Sequence, residues 1–66
     1  MNLQEILNAI YDDERNVVIS SFWDGGWKFQ YGDEVNGFKT EETFYDLEDG
    51  AIWLKEQHKK FYDRKG

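Results

Sequence analysis

The sequence predicts an α+β fold in which a three-stranded antiparallel β-meander is covered on one face by an N-terminal and a C-terminal helix, in the order α-β-β-β-α. Two observations lead to this prediction. Two hairpin turn signals follow each other between residues 23 and 38, and apolar residues at helical spacing flank them on both sides. With 66 residues, we expect a single domain, 1–66, near the lower size limit for a self-sufficient core, which keeps homodimerisation open.

The first predicted element is an amphipathic helix over about residues 2–12. Its apolar side chains repeat at helical spacing, and Asn2 followed by Glu5 is typical of a helix N-terminus. The helix runs into Asp12, Asp13 and Glu14, where the helix dipole favours cations. These acids are interpreted either as a solvated end that stops the helix or as an acidic contact patch.

Asp24-Gly25-Gly26 separates two runs of aromatic and β-branched residues, which predicts a hairpin between strands at about 16–23 and 27–35. A two-residue loop would place Trp23 and Trp27 on different faces, whereas a three-residue loop closed by a left-handed glycine would set them opposite each other. We favour the three-residue loop, because it collects the apolar side chains on one face that can be buried. That face would carry Val17, Ile19, Trp23, Trp27, Phe29 and Tyr31.

Asn36-Gly37 predicts a second hairpin, with a type I′ turn and a third strand at about 38–43. This turn would set Glu34 opposite Lys39 on a solvated face. Val18 and Phe22 would lie on the face of the sheet away from the helices, where exposed apolar side chains can mark an interface.

A second helix is predicted at about residues 46–62, where apolar side chains are spaced by three and four. Thr43 or Asp46 can cap it, and Gly50 would allow a close approach to the sheet. His58 lies on the inward stripe of this helix. Because no Cys, second His or suitably spaced Ser accompanies it, we interpret His58 as a core or boundary residue rather than a catalytic one.

No pattern in the sequence indicates an enzyme, a cofactor or a metal site. The paired acids are sequence neighbours, which point to opposite faces of a strand. Only Lys28 and Lys39 accompany the aromatic residues of the strands, too few cations for a nucleic-acid surface. The chain has no cysteine and no apolar run of about 20 residues, so we expect a cytoplasmic protein that binds neither membranes nor nucleic acid directly.

The charge distribution favours a basic protein as the partner. Residues 1–50 contain 12 acids and 3 bases, while residues 51–66 contain 2 acids and 5 bases. The first part would repel nucleic acid and attract a basic surface. The predicted partner-binding residues are acids of this part together with one apolar anchor: Asp12, Asp13, Glu14, Phe22, Asp33, Glu34, Glu41 and Glu42.

Four short motifs carry a resemblance: W-D-G-G-W (23–27), G-D-E (32–34), N-G-F (36–38) and A-x-W-L (51–54). In this pattern the chain resembles a group of small phage and prophage proteins of uncharacterised function. The resemblance implies a protein that binds and blocks a nucleic-acid-binding site on a host or defence protein. Two alternatives remain: a homodimer that holds a small ligand between Trp23, Trp27 and Trp53, and a structural or regulatory accessory protein.

Overall fold

In the computed structural model, two helices flank a three-stranded sheet in the order α1 (Leu3–Asp12), β1 (Val17–Phe22), β2 (Gly26–Asp33), β3 (Phe38–Phe44) and α2 (Leu47–Lys65). The strands are antiparallel and adjacent in sequence order, so the predicted α-β-β-β-α meander is confirmed. The structure describes the backbone of residues 2–35 and 38–65 and the side chains of 2–35 and 39–60. The turn predicted at Asn36-Gly37 lies outside the described residues.

Both helices begin where the sequence predicts. The side-chain Oδ1 of Asn2 accepts a hydrogen bond from the backbone N–H of Glu5 at 2.9 Å, which caps α1. Helix α2 begins directly after Asp46, and acids occupy its first turn, where the helix dipole favours negative charge. A side-chain cap therefore fixes the start of α1, while the start of α2 is marked by its first-turn acids.

Helix α1 ends in a Schellman motif. The backbone N–H of Arg15 donates to the carbonyl of Ile10 at 3.1 Å, and the N–H of Glu14 donates to that of Tyr11 at 3.0 Å. This motif requires a left-handed residue at Glu14, whose φ is 60°. Glycine usually occupies this position, because it has no Cβ to clash with the backbone. The acidic end of α1 is thus a tight reversal that leads into β1.

The β1–β2 hairpin has three residues in its loop, but the prediction that Trp23 faces Trp27 is wrong. Residues 23–25 form the loop, Phe22 is opposite Gly26, and Trp27 is opposite Ser21. Trp23 lies in the turn with 98% of its surface exposed. Strand β2 begins at Gly26, and the end of β3 passes so close to this residue that a Cβ on it would lie 2.3 Å from the carbonyl oxygen of Phe44.

The remaining face assignments are confirmed, because moving the loop by one residue shifts the register by two and preserves the alternation. The face towards the helices buries Phe29 and Tyr31 completely. Gly50 of α2 lies against this face, and a Cβ on it would be 2.0 Å from Cε1 of Phe29, as the predicted close approach requires. Helix α1 packs mainly against α2, and the core is completed by Ile6, Ile10, Ala51 and Leu54.

Candidate functional site

Five of the eight predicted partner-binding residues lie at one end of the molecule, which we call the loop end. Asp12 ends α1 and Asp13 and Glu14 follow it, while Asp33 ends β2 and Glu34 follows it. The two segments meet because the backbone N–H of Gly32 donates to the carbonyl of Asn16 at 2.8 Å, and the side chain of Asn16 donates to the carboxylate of Asp33. Acidic residues that are far apart in the sequence therefore lie at the same end of the molecule.

Positive charge is also brought to the loop end. Helix α2 runs along β2 from the Gly50–Phe29 contact to a hydrogen bond between His58 and Tyr31. The exposed Lys59 and Lys60 follow directly, in the part of the sequence with 2 acids and 5 bases. Glu34 also pairs with Lys39 at 3.8 Å, but the prediction that these two residues lie opposite each other is wrong, because Lys39 is opposite Gly32 and Phe38 is opposite Asp33. Acids and bases therefore offset one another at the loop end.

A chain of hydrogen bonds at the loop end joins Asp13, His58 and Tyr31. The Asp13 carboxylate lies 2.7 Å from Nε2 of His58, and Nδ1 of His58 lies 2.7 Å from the hydroxyl of Tyr31. If Nε2–H donates to Asp13, then Nδ1 of a neutral imidazole accepts from the Tyr31 hydroxyl. His58 is therefore a boundary residue that ties together α1, α2 and β2.

The surroundings of Tyr31 suit a structural contact. Burial raises the pKa of Tyr31, the positive charge of Arg15 opposes this rise, and the negative charge of Asp13 adds to it. Tyr31 has no exposed surface, so its hydroxyl contacts His58 within the folded domain. Among the described residues, no group of three His, Asp or Glu side chains is placed to hold a metal ion.

The other three predicted residues lie together near the β1–β2 turn. Phe22, Glu41 and Glu42 line one shallow hollow together with Asp24 and Lys28. Phe22 is 48% exposed, and Glu41 pairs with Lys28 at 3.3 Å. The structure therefore divides the predicted partner-binding residues between two ends of the molecule.

A second hollow adjoins the first and adds Tyr45, which the sequence does not single out, to aromatic residues that the sequence does indicate. Trp23, Trp27 and Tyr45 line it with Phe22 and Asp24, and its volume is about 490 Å³. Tyr45 is 85% exposed. We call the residues around the two hollows the hairpin-end surface: Phe22, Trp23, Asp24, Trp27, Glu41, Glu42 and Tyr45.

The hairpin-end surface lies in a part of the fold that is rich in acids. Residues 22–27 and 42–49, which meet at this end, contain five acids and no Lys or Arg. Lys28, the next cation along the chain, is paired with Glu41. The exposed rings are therefore set in a region of negative charge.

The sequence indicates Trp23 and Trp27 only as walls of a ligand pocket with Trp53, and it does not indicate Tyr45. The strand predicted over about 16–23 includes Trp23, although this residue directly precedes Asp24-Gly25-Gly26 and could equally begin the turn. Tyr45 lies in the two-residue connection between β3 and α2, where a side chain has few neighbours to cover it. The small-ligand alternative places Trp53 beside Trp23 and Trp27. In the structure, Trp53 packs against Phe44 with ring centroids 6.0 Å apart, and it is not among the described residues that line the hollow with Trp23.

Comparison with known proteins gives no match to this chain among protein-family models, curated proteins or solved structures. The resemblance to small phage proteins therefore depends on the sequence motifs alone. Within the described part of the chain, no helix has the length and apolar character needed to cross a membrane.

Proposed function

We propose that this domain is a non-enzymatic binding protein that attaches through its hairpin-end surface to a basic surface of another protein and keeps nucleic acid away from it. The observation that carries the proposal is the exposure of three aromatic side chains, Phe22, Trp23 and Tyr45, in a region of negative charge. The resemblance to small phage proteins implies a host or defence protein as the partner.

The exposed rings suit a binding surface because large aromatic side chains supply most of the energy at many protein interfaces. Trp23 exposes 98% of its surface, so its burial against a partner would remove a large apolar area from water. The exposed apolar residues lie side by side around two hollows, as expected of an interaction site.

The negative charge selects the partner. Acids around the rings attract a basic surface and repel phosphate, which favours a protein partner over nucleic acid. Along β2, the Gly26 end and the Asp33 end are roughly 23 Å apart at about 3.3 Å per residue. Since exposed charges are screened beyond about 8 Å at physiological ionic strength, the bases of the loop end do not cancel the field at the hairpin end.

The proposal is tested by capture from a bacterial lysate at low and at high salt, with three versions of the immobilised domain. These are the native sequence, the hairpin-end variant Asp24→Asn/Glu42→Gln, and the loop-end variant Asp12→Asn/Glu14→Gln, which removes the same number and type of charges. We expect a basic nucleic-acid-binding protein to be retained by the native domain and the loop-end variant. The hairpin-end variant and high salt should both release it.

The captured protein is then purified, and its binding to labelled DNA or RNA is measured with and without the domain. We expect the native domain to displace the nucleic acid and the hairpin-end variant to displace much less. Retention that is insensitive to salt, or loss of retention only in the loop-end variant, would contradict the proposal. So would a partner that binds nucleic acid and the domain at the same time.

A further inference from the structure

The hollow between the β1–β2 turn and Tyr45 combines flat apolar walls with a carboxylate. Trp23, Trp27, Tyr45 and Phe22 contribute aromatic rings, and Asp24 contributes the negative charge. The carboxylate-rich surroundings contain no Lys or Arg in residues 22–27 and 42–49. The hollow therefore complements a ligand that is both planar and positively charged.

We propose that this hollow binds the guanidinium group of an arginine side chain on the partner protein, a proposal that rests on the function proposed above. A guanidinium ion is planar, so it stacks on aromatic rings and forms paired hydrogen bonds with a carboxylate. It is also more weakly hydrated than the ammonium group of lysine. In an open hollow, these properties favour arginine over lysine.

The backbone holds the two sides of the hollow together at Gly26. A Cβ at this position would lie 2.3 Å from the carbonyl oxygen of Phe44 and 3.0 Å from Cα of Tyr45. Gly26 also has a φ of 91°, which an L side chain rarely adopts. Because this residue has no side chain, the β3–α2 connection can lie against the turn, and Tyr45 and Trp23 contribute to one hollow.

The test uses an end-blocked hexapeptide of alternating glycine and arginine as the probe, with citrulline and lysine versions as controls. Citrulline keeps the planar shape of arginine but has no charge. Binding is followed through the indole N–H signals of Trp23, Trp27 and Trp53 in ¹⁵N-labelled protein. We expect the arginine peptide to shift the Trp23 and Trp27 signals, to leave Trp53 unchanged, and to bind more tightly than either control.

Two variants make the site assignment specific. Trp23→Ala should weaken the arginine peptide about tenfold, in the range of a cation–π contact with partial desolvation. Tyr11→Ala removes an aromatic side chain that is 81% exposed on α1, and it should leave the affinity unchanged. Because Trp23 and Tyr11 are both exposed, we expect both variants to remain folded. Thermal unfolding followed by circular dichroism is the control for this expectation.

Equal binding of the citrulline or lysine peptide, or an unchanged affinity in Trp23→Ala, would overturn the proposal. A sedimentation mass that rises with concentration for the native chain but not for Trp23→Ala would overturn it in favour of a second copy of the domain. If a captured partner is released by Asp24→Asn/Glu42→Gln and retained by Trp23→Ala, the proposed function stands and the arginine site fails. Retention by both variants would refute the function itself.

Discussion

The substitution Gly50→Ala tests the packing of α2 on the sheet, because two effects of opposite sign can be compared. In a helix interior, alanine is more favourable than glycine by about 1 kcal/mol. Here the added Cβ would lie 2.0, 2.2 and 2.5 Å from three atoms of the Phe29 ring, which has no exposed surface and cannot turn outward. Overpacking of a core costs about 1–3 kcal/mol, and three overlapping atoms indicate the upper end. We therefore expect a net loss of about 2 kcal/mol in the free energy of unfolding.

The measurement is urea unfolding followed by tryptophan fluorescence, with thermal unfolding as a second readout. A loss of this size should lower the midpoint temperature by about 8–16 °C in a domain of this length. Gly25→Ala is the matched control, since its Cβ would meet the nearest atom, Cβ of Phe22, at an ordinary 3.6 Å. In a Phe29→Leu background the cost of Gly50→Ala should largely disappear. If Gly50→Ala stabilises the domain by the full helix-propensity gain, the close approach is absent and the reasoning is wrong.

Two further predictions concern the loop end. Glu14→Gly should raise the free energy of unfolding by about 0.5–1 kcal/mol in urea, because Glu14 adopts a φ of 60° that costs an L residue about 1–2 kcal/mol, part of which the entropy of glycine cancels. Glu14→Ala removes the same charge but keeps a Cβ, so an equal gain in that variant would show that charge, not backbone strain, is responsible. Stability should also fall at alkaline pH, because burial raises the pKa of Tyr31 above its ordinary 10.0 and the folded state holds this proton more tightly than the unfolded chain does. That contribution is complete below pH 10 and is lost as the pH rises through the folded-state pKa, so unfolding curves should show a steeper alkaline decline for the native chain and Tyr45→Phe than for Tyr31→Phe. Equal declines in all three proteins would exclude Tyr31 as the cause.

Local chemistry in the sequence determined the elements and the buried face of the sheet. The cap at Asn2, the glycine at position 50 and the alternation that places Phe29 beside Tyr31 on one face each depend on residues close in the chain. Turn chemistry also predicted a three-residue loop between β1 and β2, which the structure contains. Periodicity and caps act over a few residues, so they can be interpreted without knowledge of the fold.

The tertiary structure decided the position of the β1–β2 loop and which residues meet at the loop end and at the hairpin end. Loops at 23–25 and at 24–26 preserve the same alternation, so the sequence pattern does not distinguish them, and the structure places Trp23 in the turn, where it is exposed. The link from Asp13 to His58 spans 45 residues, and that from His58 to Tyr31 spans 27. Helix packing brings the basic end of α2 to the loop-end acids and leaves the hairpin end negative. Such contacts join groups far apart in the chain, and no local pattern encodes them.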